Sequence, residues 1–483
     1  MTRALGAARQ LEFVVATGAM LLIVASAATG RAPVAVPLAA LLVLVAVARP
    51  AVIEWRSLIL MLLLIILFIP IRRYSLSINL PFQLEPYRAW VFVLAALWLT
   101  ALLLDPRLRI KPTGLEAPLA LLGVAVLGSI VTNYDSITSE DLGTEIVKKL
   151  TFWVGFVIIL YMVSSLATLK DVDFYLRTLV IGSAILGALG VIEWKTGSNA
   201  FAHLNRYLPI VSPVGDNVDA FRAGLTRAYA SAQHPIAFGA ALALMLPIAV
   251  VYAFRLRKPL WYACAGLIVL GSLASVSRTS ILMLLVSAGM LAVLRPQAAR
   301  QALPLVVPLL VVIQIALPGT FSTIRASFFP SGGLVEQQAN QNVGSGRVAS
   351  FGPAVDEASE HPFFGRGFGT RIVGNDPKQN SFILDDEWLS TTLEIGIVGL
   401  LAWVWIFLRF CSRAVVVARS DDSDRGWTLA ALAASVAAFA VGMGFYDAFS
   451  FIQVTFLMII LLGLGSVLLR DGAETVAPAP AEA

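Results

Sequence analysis

The three histidines of this chain all fall in or beside two long polar stretches that also carry arginines. His203 belongs to the stretch near 195–233, His234 directly follows it, and His361 belongs to the stretch 319–387. The accompanying arginines are Arg222, Arg227, Arg347, Arg366 and Arg371, with Arg278 at a turn between two apolar runs. Guanidinium groups can hold a diphosphate by paired hydrogen bonds, and imidazole can transfer protons. We therefore expect any reaction to take place on the side where these stretches lie.

Carboxylates occur at the start of the apolar run that follows the second stretch. They are Asp385, Asp386 and Glu387 at its beginning and Glu394, two helical turns further along the chain. A carboxylate inside an apolar helix costs several kcal/mol unless it is paired or hydrated, so Glu394 is a functional candidate by default. Glu387, Thr391 and Glu394 are spaced i, i+4 and i+7, which predicts one polar helix face descending from the surface.

Several of these features also have simpler interpretations. The run Gly365–Gly369 has glycines spaced as in a dinucleotide loop, but no strand precedes it and no βαβ unit surrounds it. It is either a plain loop or a backbone nest that binds an anion beside Arg366. Asp385–Glu387 can simply favour a helix N-terminus, and their spacing specifies no metal site. Any single arginine is equally compatible with contact to lipid headgroups.

The composition identifies the class of protein that must position these residues. Of 483 residues, 58% are hydrophobic and only 13% are charged, and the mean hydropathy is +0.83. A soluble protein would carry about 25% charged residues, so an ordinary cytosolic enzyme and a disordered chain are excluded. The net charge of +5 fits basic loops that face anionic membrane lipids, and no nucleic acid partner is expected. The two cysteines lie in or beside apolar runs, which leaves no disulfide framework.

The apolar runs predict an all-α polytopic integral membrane protein with about 12–14 transmembrane helices. The candidate spans are 11–29, 33–48, 57–70, 89–104, 115–132, 147–166, 174–192, 235–254, 260–276, 279–294, 303–318, 388–408, 428–445 and 449–469. Basic residues concentrate in the short loops of one side, which predicts that both termini are cytoplasmic. The long stretches then lie outside the cytoplasmic membrane, and 471–483 reads as a disordered cytoplasmic tail.

Four parts of the chain follow from this arrangement. Residues 1–234 form N-terminal spans with an outer loop near 195–233, and 235–410 form a core that includes the large outer loop 319–387. Residues 411–470 form the last spans, ahead of the tail. Within the large loop, Pro353 predicts the first turn of a short helix over Ala354–Glu360 that ends at His361-Pro362.

At these residues the sequence resembles the superfamily of O-antigen ligases and O-antigen polymerases, which are bacterial envelope glycosyltransferases. The matching pieces are Gly224–Arg227, Gln233–Gly239, Ser277–Ser280, Arg347, His361–Gly367, Asp385–Leu389 and Glu394–Leu400. Each piece is degenerate, but their order around one large loop makes the resemblance fairly specific. It covers roughly residues 220–410.

The resemblance implies metal-independent glycosyl transfer at the outer leaflet, with no cofactor. The donor would be a polyprenyl-diphosphate-linked saccharide, and the acceptor a glycan or a lipid. Arg227, Arg278 and Arg347 are then the first candidates for binding the diphosphate, with Arg366 and His234 in support. Asp385 or Asp386 would orient or deprotonate the acceptor, and His361 and Glu394 complete the catalytic candidates.

One departure from the family pattern bears on the product. Lipid A-core ligases of this superfamily commonly carry His-Asn where this chain has Asp385-Asp386, whereas polysaccharide polymerases often carry Asp. The ligase histidine role therefore does not transfer unchanged to Asp385. A transporter or flippase of lipid-linked oligosaccharides is the alternative from another class, and a non-catalytic envelope scaffold is a third. Transporters commonly contain internal repeats. The sequence shows no internal repeat, which favours the enzyme.

Overall fold

Helices account for nearly all of the regular structure in the part of the chain that the computed structural model describes, residues 54–77, 83–214, 221–222, 225–330, 332–340, 347–373 and 379–474. In chain order they are α1 Trp55–Phe68, α2 Pro86–Leu104, α3 Glu116–Thr132, α4 Tyr134–Ser139, α5 Gly143–Leu166, α6 Leu169–Thr196, α7 Pro235–Leu256, α8 Pro259–Ala274, α9 Arg278–Leu294, α10 Pro296–Ala316, α11 Thr320–Phe328, α12 Leu334–Ala339, α13 Arg347–Glu360, α14 Glu387–Ser420, α15 Asp424–Gly442 and α16 Ile452–Glu474.

Twelve of these helices are apolar and coincide with predicted spans. Eight are long and apolar enough to cross a membrane, and four shorter apolar helices (α1, α3, α8 and α9) accompany them. The prediction of an all-α polytopic membrane protein is therefore confirmed. The first two candidate spans, 11–29 and 33–48, lie outside the described residues, as do 475–483 of the tail. The four-part division of the chain stays a prediction.

The centre of the bundle is formed by α7 and α16, whose side chains are almost all buried by neighbouring helices. Small residues allow close helix crossings around them. A Cβ added to Gly187 of α6 would lie 2.3 Å from the Leu267 carbonyl oxygen of α8, and one added to Gly271 would lie 2.4 Å from the Gly187 Cα. Close backbone packing of this kind stabilises the association of helices in lipid, where no hydrophobic effect draws them together.

The strands of the described residues form two short antiparallel pairs. β1 (Tyr74–Leu76) pairs with β2 (Val211–Pro213) with Tyr74 opposite Pro213, and β3 (Phe221–Arg222) pairs with β4 (Leu225–Thr226). The Tyr74 hydroxyl donates to the Phe201 carbonyl at 2.7 Å. The connection between α1 and α2 is thereby joined to the long connection between α6 and α7.

The most irregular backbone of the membrane helices is the break in α14 at Gly396. This residue has φ of +65° and ψ of −169°, a conformation essentially restricted to glycine. The break interrupts the helical hydrogen bonds, and the loop 362–367 replaces them. Arg366 N–H donates to the Leu393 carbonyl at 2.9 Å and Gly367 N–H to the Glu394 carbonyl at 3.3 Å, while Ile397 N–H donates to the Pro362 carbonyl at 2.9 Å.

Glycine is also required on the loop side of this junction. A Cβ on Gly396 would lie 2.1 Å from the Phe363 carbonyl oxygen, and a Cβ on Gly365 would lie 2.5 Å from the Glu394 carbonyl carbon. Gly365 has a positive φ of +68° as well. The two glycines therefore let the backbones of the loop and the broken helix meet without an intervening side chain.

The helix that precedes this loop differs from the sequence prediction at its start. It ends at Glu360 as expected, but it begins at Arg347, so Pro353 lies inside it and not in its first turn. Because proline lacks an N–H, α13 forgoes one backbone hydrogen bond there. The helix thus extends by two turns toward α9.

Arginines fasten the helix ends on the side opposite the long loops. Arg470 donates from Nη1 to the Pro112 carbonyl at 3.1 Å and from Nη2 to the Ser164 carbonyl at 3.0 Å. Arg409 Nε donates to the Gly114 carbonyl at 2.5 Å. The connection between α2 and α3 is thereby fixed to α14 and α16. These hydrogen bonds lie at the ends of the helices opposite the long loops.

We predict that Gly396→Ala lowers the stability of the protein by about 3 kcal/mol or more, because it adds a strained φ and a clash with Phe363. The matched control is Gly266→Ala in α8, where an added Cβ meets nothing within 4 Å. That change should be neutral or slightly stabilising. Unfolding midpoints in detergent measure both, and equal midpoints would contradict the requirement for glycine at the break.

Candidate functional site

A cavity of about 450 Å³ lies between α3 and α5, and we call it the α3–α5 cavity. Its apolar lining consists of Leu119, Leu122, Val126, Leu127, Leu150, Phe152, Trp153, Val154, Val157, Phe368, Val373, Phe382, Ile383, Leu384, Ile395, Trp403 and Phe449. Leu127, Val154 and Val157 are also exposed at the surface of the bundle. The cavity therefore opens sideways between two apolar helices, where a hydrocarbon chain can enter from a membrane.

The other end of the α3–α5 cavity is polar and charged. Its polar side chains are Arg72, Lys149, Arg371, Glu387, Ser390, Thr391, Glu394, Asp447 and Ser450. Glu387, Thr391 and Glu394 lie together there, as their spacing in the sequence predicts. A single space thus joins an apolar channel to a cluster of three cations and three carboxylates.

Arg371 is the cation best placed to bind an anion in this cavity. Its Nη1 donates to Ser390 Oγ at 2.9 Å and its Nη2 to the Phe382 carbonyl at 3.0 Å, which fixes the guanidinium plane. Its buried Nε has no hydrogen-bond partner within the described ranges, and no carboxylate of those ranges forms an ion pair with it. A phosphate bound in the cavity would supply the missing negative charge.

The carboxylate inside the apolar helix is paired. Both oxygens of Glu394 accept from Lys149 Nζ, and Lys149 also lies 5.4 Å from the centre of the Phe368 ring. The Ser129 hydroxyl donates to the Glu394 carbonyl at 2.6 Å, beside the break in α14. Pairing offsets the cost of placing this carboxylate among apolar side chains.

A pair of acidic side chains, Glu387 and Asp447, also lies at the polar end. Glu387 is buried, accepts from Phe449 N–H at 2.8 Å, and shares a side-chain hydrogen bond with Asp447. Asp447 also accepts from Ser450 Oγ at 2.6 Å. Burial, followed by the charges of these two acids, raises the pKa of the Tyr446 phenol well above its usual value. Tyr446 is fully buried and lines neither cavity.

A second cavity, of about 600 Å³, lies on the other side of the segment that leads into α14, and we call it the α9–α13 cavity. Its lining is Arg278, Thr279, Leu282, Phe328, Gln338, Val348, Ser350, Phe351, Leu384, Asp385, Asp386, Leu389, Gly444 and Phe445. Three residues predicted for the site, Arg278, Asp385 and Asp386, thus lie together. Asp386 also caps α14, accepting from Leu389 N–H at 3.1 Å.

The two cavities are separated by a single stretch of chain. Leu384 lines both of them, Asp385 and Asp386 face the α9–α13 cavity, and Glu387 faces the α3–α5 cavity. Four residues span at most about 14 Å even when fully extended. Groups bound in the two cavities can therefore approach one another across this stretch.

Two predicted residues belong to the packing around α7 and line neither cavity. Arg227 is buried and donates from Nε to the Ser275 carbonyl at 3.1 Å. His234 caps α7, accepting from Ile236 N–H at 3.2 Å on Nδ1, and stacks on Phe451 with 5.6 Å between ring centres. Each of these contacts stabilises the bundle, and their predicted role in binding diphosphate stays a prediction.

The remaining predicted residues lie around α13. Arg366 forms an ion pair with Glu357 and lines neither cavity. His361 is exposed at the end of α13. Arg347 begins this helix, and its side chain lies outside what the structure describes. The roles assigned to these three residues stay predictions.

Two N–H groups of the glycine-rich run contact protein backbone. The N–H groups of Arg366 and Gly367 are used by the carbonyls at the break in α14. Of the two interpretations left open by the sequence, the structural loop is therefore favoured over the anion-binding nest.

Sequence reasoning missed Lys149 and Arg72, and it noted Arg371 without assigning it a role. Lys149 had a usable signal, because it lies inside a predicted span where a charge is costly. Arg72 adopts a left-handed φ of +63°, which costs about 1 kcal/mol and cannot be read from the sequence. The partners of Arg371 likewise depend on tertiary contacts.

The comparisons with known proteins identify the type of domain. Residues 263–404 match a family model described as O-antigen ligase. A search of curated proteins found no significant match. The matched range runs from α8 into α14, and it contains Arg278, the segment 384–387 and the break at Gly396. Residues 263–404 are thus similar to an O-antigen ligase domain, which supports a relationship of this multi-pass membrane protein to the O-antigen ligase superfamily and a role of the glycan ligase or polymerase type.

Proposed function

We propose that the protein transfers a saccharide from a polyprenyl diphosphate to a glycan or lipid acceptor at the outer face of the cytoplasmic membrane. The observation that carries this proposal is the α3–α5 cavity, which joins a sideways apolar opening to a buried guanidinium. A polyprenyl diphosphate has the same division, with a long hydrocarbon chain attached to a compact double anion. The transfer either lengthens a polymer or attaches a glycan to another molecule.

The apolar lining suits the polyprenyl chain. Leu122, Val126 and Val154 line the channel between α3 and α5, and exposed neighbours continue it to the surface of the bundle. Each buried CH₂ group contributes about 0.8 kcal/mol to binding. The donor can therefore enter from the bilayer without its chain passing through water.

The polar end suits the diphosphate. Arg371 is fixed by Ser390 and by the Phe382 carbonyl, so its guanidinium is already oriented when a phosphate oxygen binds to one of the N–H donors that these two contacts leave over. Arg72 adds a second guanidinium, and Lys149 adds an ammonium that Glu394 holds in place. Within the described residues, no group of three or more His, Cys, Asp or Glu side chains is arranged to hold a metal ion. In the proposed reaction these cations neutralise the leaving diphosphate.

The reaction we propose is a single displacement. The acceptor hydroxyl oxygen forms a bond to the anomeric carbon, and the bond from that carbon to the diphosphate oxygen breaks with its electron pair leaving on the diphosphate. The hydroxyl proton passes to a carboxylate. Asp385 is the proposed base, because it lines the α9–α13 cavity next to Leu384, which lines both cavities.

We predict that Arg371→Ala reduces both binding of undecaprenyl diphosphate and saccharide transfer by about 10²-fold, because the fixed guanidinium is lost. Arg371→Lys should recover only part of the affinity, since an ammonium lacks the planar fork. Binding is measured on full-length protein in lipid nanodiscs, and transfer is followed in cells as accumulation of unused lipid-linked saccharide.

The control for Arg371→Ala is Arg325→Ala, which removes an exposed arginine of α11 that lines neither cavity. This variant should bind and transfer as the wild-type protein does. Full binding and transfer by Arg371→Ala at normal protein abundance would remove the α3–α5 cavity from the reaction.

We predict that Asp385→Asn slows transfer about 10²-fold or more and leaves undecaprenyl diphosphate binding unchanged, because the base is lost while the donor contacts remain. Asp356→Asn, an exposed acid of α13, is the matched control and should have no effect. Collapse of undecaprenyl diphosphate binding in Asp385→Asn would instead assign Asp385 to the diphosphate.

A further inference from the structure

Two acids at the polar end of the α3–α5 cavity are hydrogen-bonded to one another. Glu387 is 4% exposed and shares a side-chain hydrogen bond with Asp447. An ionised carboxylate only accepts hydrogen bonds, so a hydrogen bond between two carboxyl groups requires a proton on one of them. These two side chains, which we call the Glu387–Asp447 pair, therefore hold one proton and carry one negative charge.

Hydrogen bonds around the Glu387–Asp447 pair hold its two acids together. Phe449 N–H donates to the Glu387 carboxyl at 2.8 Å, and Asp447 lies two residues before Phe449 on the same turn. Trp388 Nε1 donates to the Ala440 carbonyl at 3.0 Å, which ties the start of α14 to the end of α15. Loss of the proton would therefore place two carboxylates side by side instead of separating them.

The proton of the pair determines the charge of the polar end. Lys149 is paired with Glu394, so these two charges cancel, and burial keeps the Tyr446 phenol beside the pair neutral. The other charged side chains that line this end are Arg72, Arg371, Glu387 and Asp447. With both acids ionised, their charges would cancel those of the two arginines. With one proton on the pair, one positive charge remains to attract a diphosphate.

We propose that the polar end binds the donor diphosphate only while the Glu387–Asp447 pair holds its proton. This inference rests on the proposed function and deepens it, because it adds two positioning residues and a dependence on pH to the diphosphate site. Loss of the proton adds a negative charge beside the phosphate oxygens, and like charges at close range repel. Donor affinity is therefore highest where the pair is protonated and falls as the pH rises and the proton is lost.

The test compares the pH dependence of undecaprenyl diphosphate binding in the wild-type protein and in Glu387→Gln. Glutamine can accept from Phe449 N–H and donate to Asp447, but it has no proton to lose, so the pair keeps one negative charge at every pH. Binding is measured on full-length protein in lipid nanodiscs from about pH 6 to about pH 9. Titration of the phosphates is common to both proteins and cancels in the ratio of their affinities.

We expect equal affinities, within about twofold, at the low end of this range, and about tenfold or more tighter binding by Glu387→Gln at the high end, where the wild-type pair carries two charges. Asp447→Asn fixes the pair at the same single charge and should behave in the same way. It covers the case in which Glu387→Gln does not fold. Glu360→Gln, which changes an exposed acid of α13 that lines neither cavity, is the matched control and should follow the wild type at every pH.

A ratio of affinities that stays constant across the pH range would overturn the proposal, because the pair would then not change its charge beside the diphosphate. Weaker binding by both amide variants at every pH would also overturn it, since the site would then need both acids for another reason. Failure of the proposed function is a separate result. It would appear as full binding and transfer by Arg371→Ala, or as no undecaprenyl diphosphate binding by the wild-type protein at any pH.

Discussion

The rest of the site depends on how the backbone N–H and carbonyl groups at the break in α14 are hydrogen-bonded. In hydrocarbon, an unpaired N–H or carbonyl costs several kcal/mol, so a break at Gly396 persists only where other protein groups replace the lost bonds. The loop 362–367 supplies those partners on both sides of the break. The glycine-rich run and the broken helix are therefore one structural unit. The loop is hydrogen-bonded to both halves of α14, and Glu394, two residues before the break, pairs with Lys149.

The two cavities meet at one short stretch of chain at the start of the broken helix. Asp385 lines the α9–α13 cavity and Glu387 lines the α3–α5 cavity. Arg371 follows the same loop and is anchored to Ser390, so the cation proposed for the diphosphate is positioned by the segment that also carries the proposed base. A donor and an acceptor would thus be aligned by one element, which is the entropic advantage that glycosyl transfer between two large substrates needs.

The sequence predicts the class of fold well and the site only in part. Long apolar runs bounded by charges identify the twelve apolar helices directly, because membrane spans impose length and composition on the chain. The spacing of Glu387, Thr391 and Glu394 correctly predicts a shared face, since helix geometry is local. Pairings between distant residues escape this reasoning. Lys149 and Glu394 are 245 residues apart, and the partners of Arg371 follow from tertiary contact. Arg366 lies in a glycine-rich run that resembles an anion-binding loop. Its N–H group instead donates to a carbonyl at the break in α14, and its side chain pairs with Glu357.

Labelling with a polyprenyl diphosphate tests the donor cavity most directly. An undecaprenyl diphosphate analogue with a diazirine near the diphosphate end of its chain would be bound to the full-length protein in nanodiscs and activated by light. Mass spectrometry of the labelled peptides then shows which helices surround the chain. The account predicts label in α3 and α5, around Leu122, Val126 and Val154, and its loss in competition with unlabelled undecaprenyl diphosphate. Competable label confined to α9, α11 or α13 would contradict it, because the donor would then occupy the α9–α13 cavity.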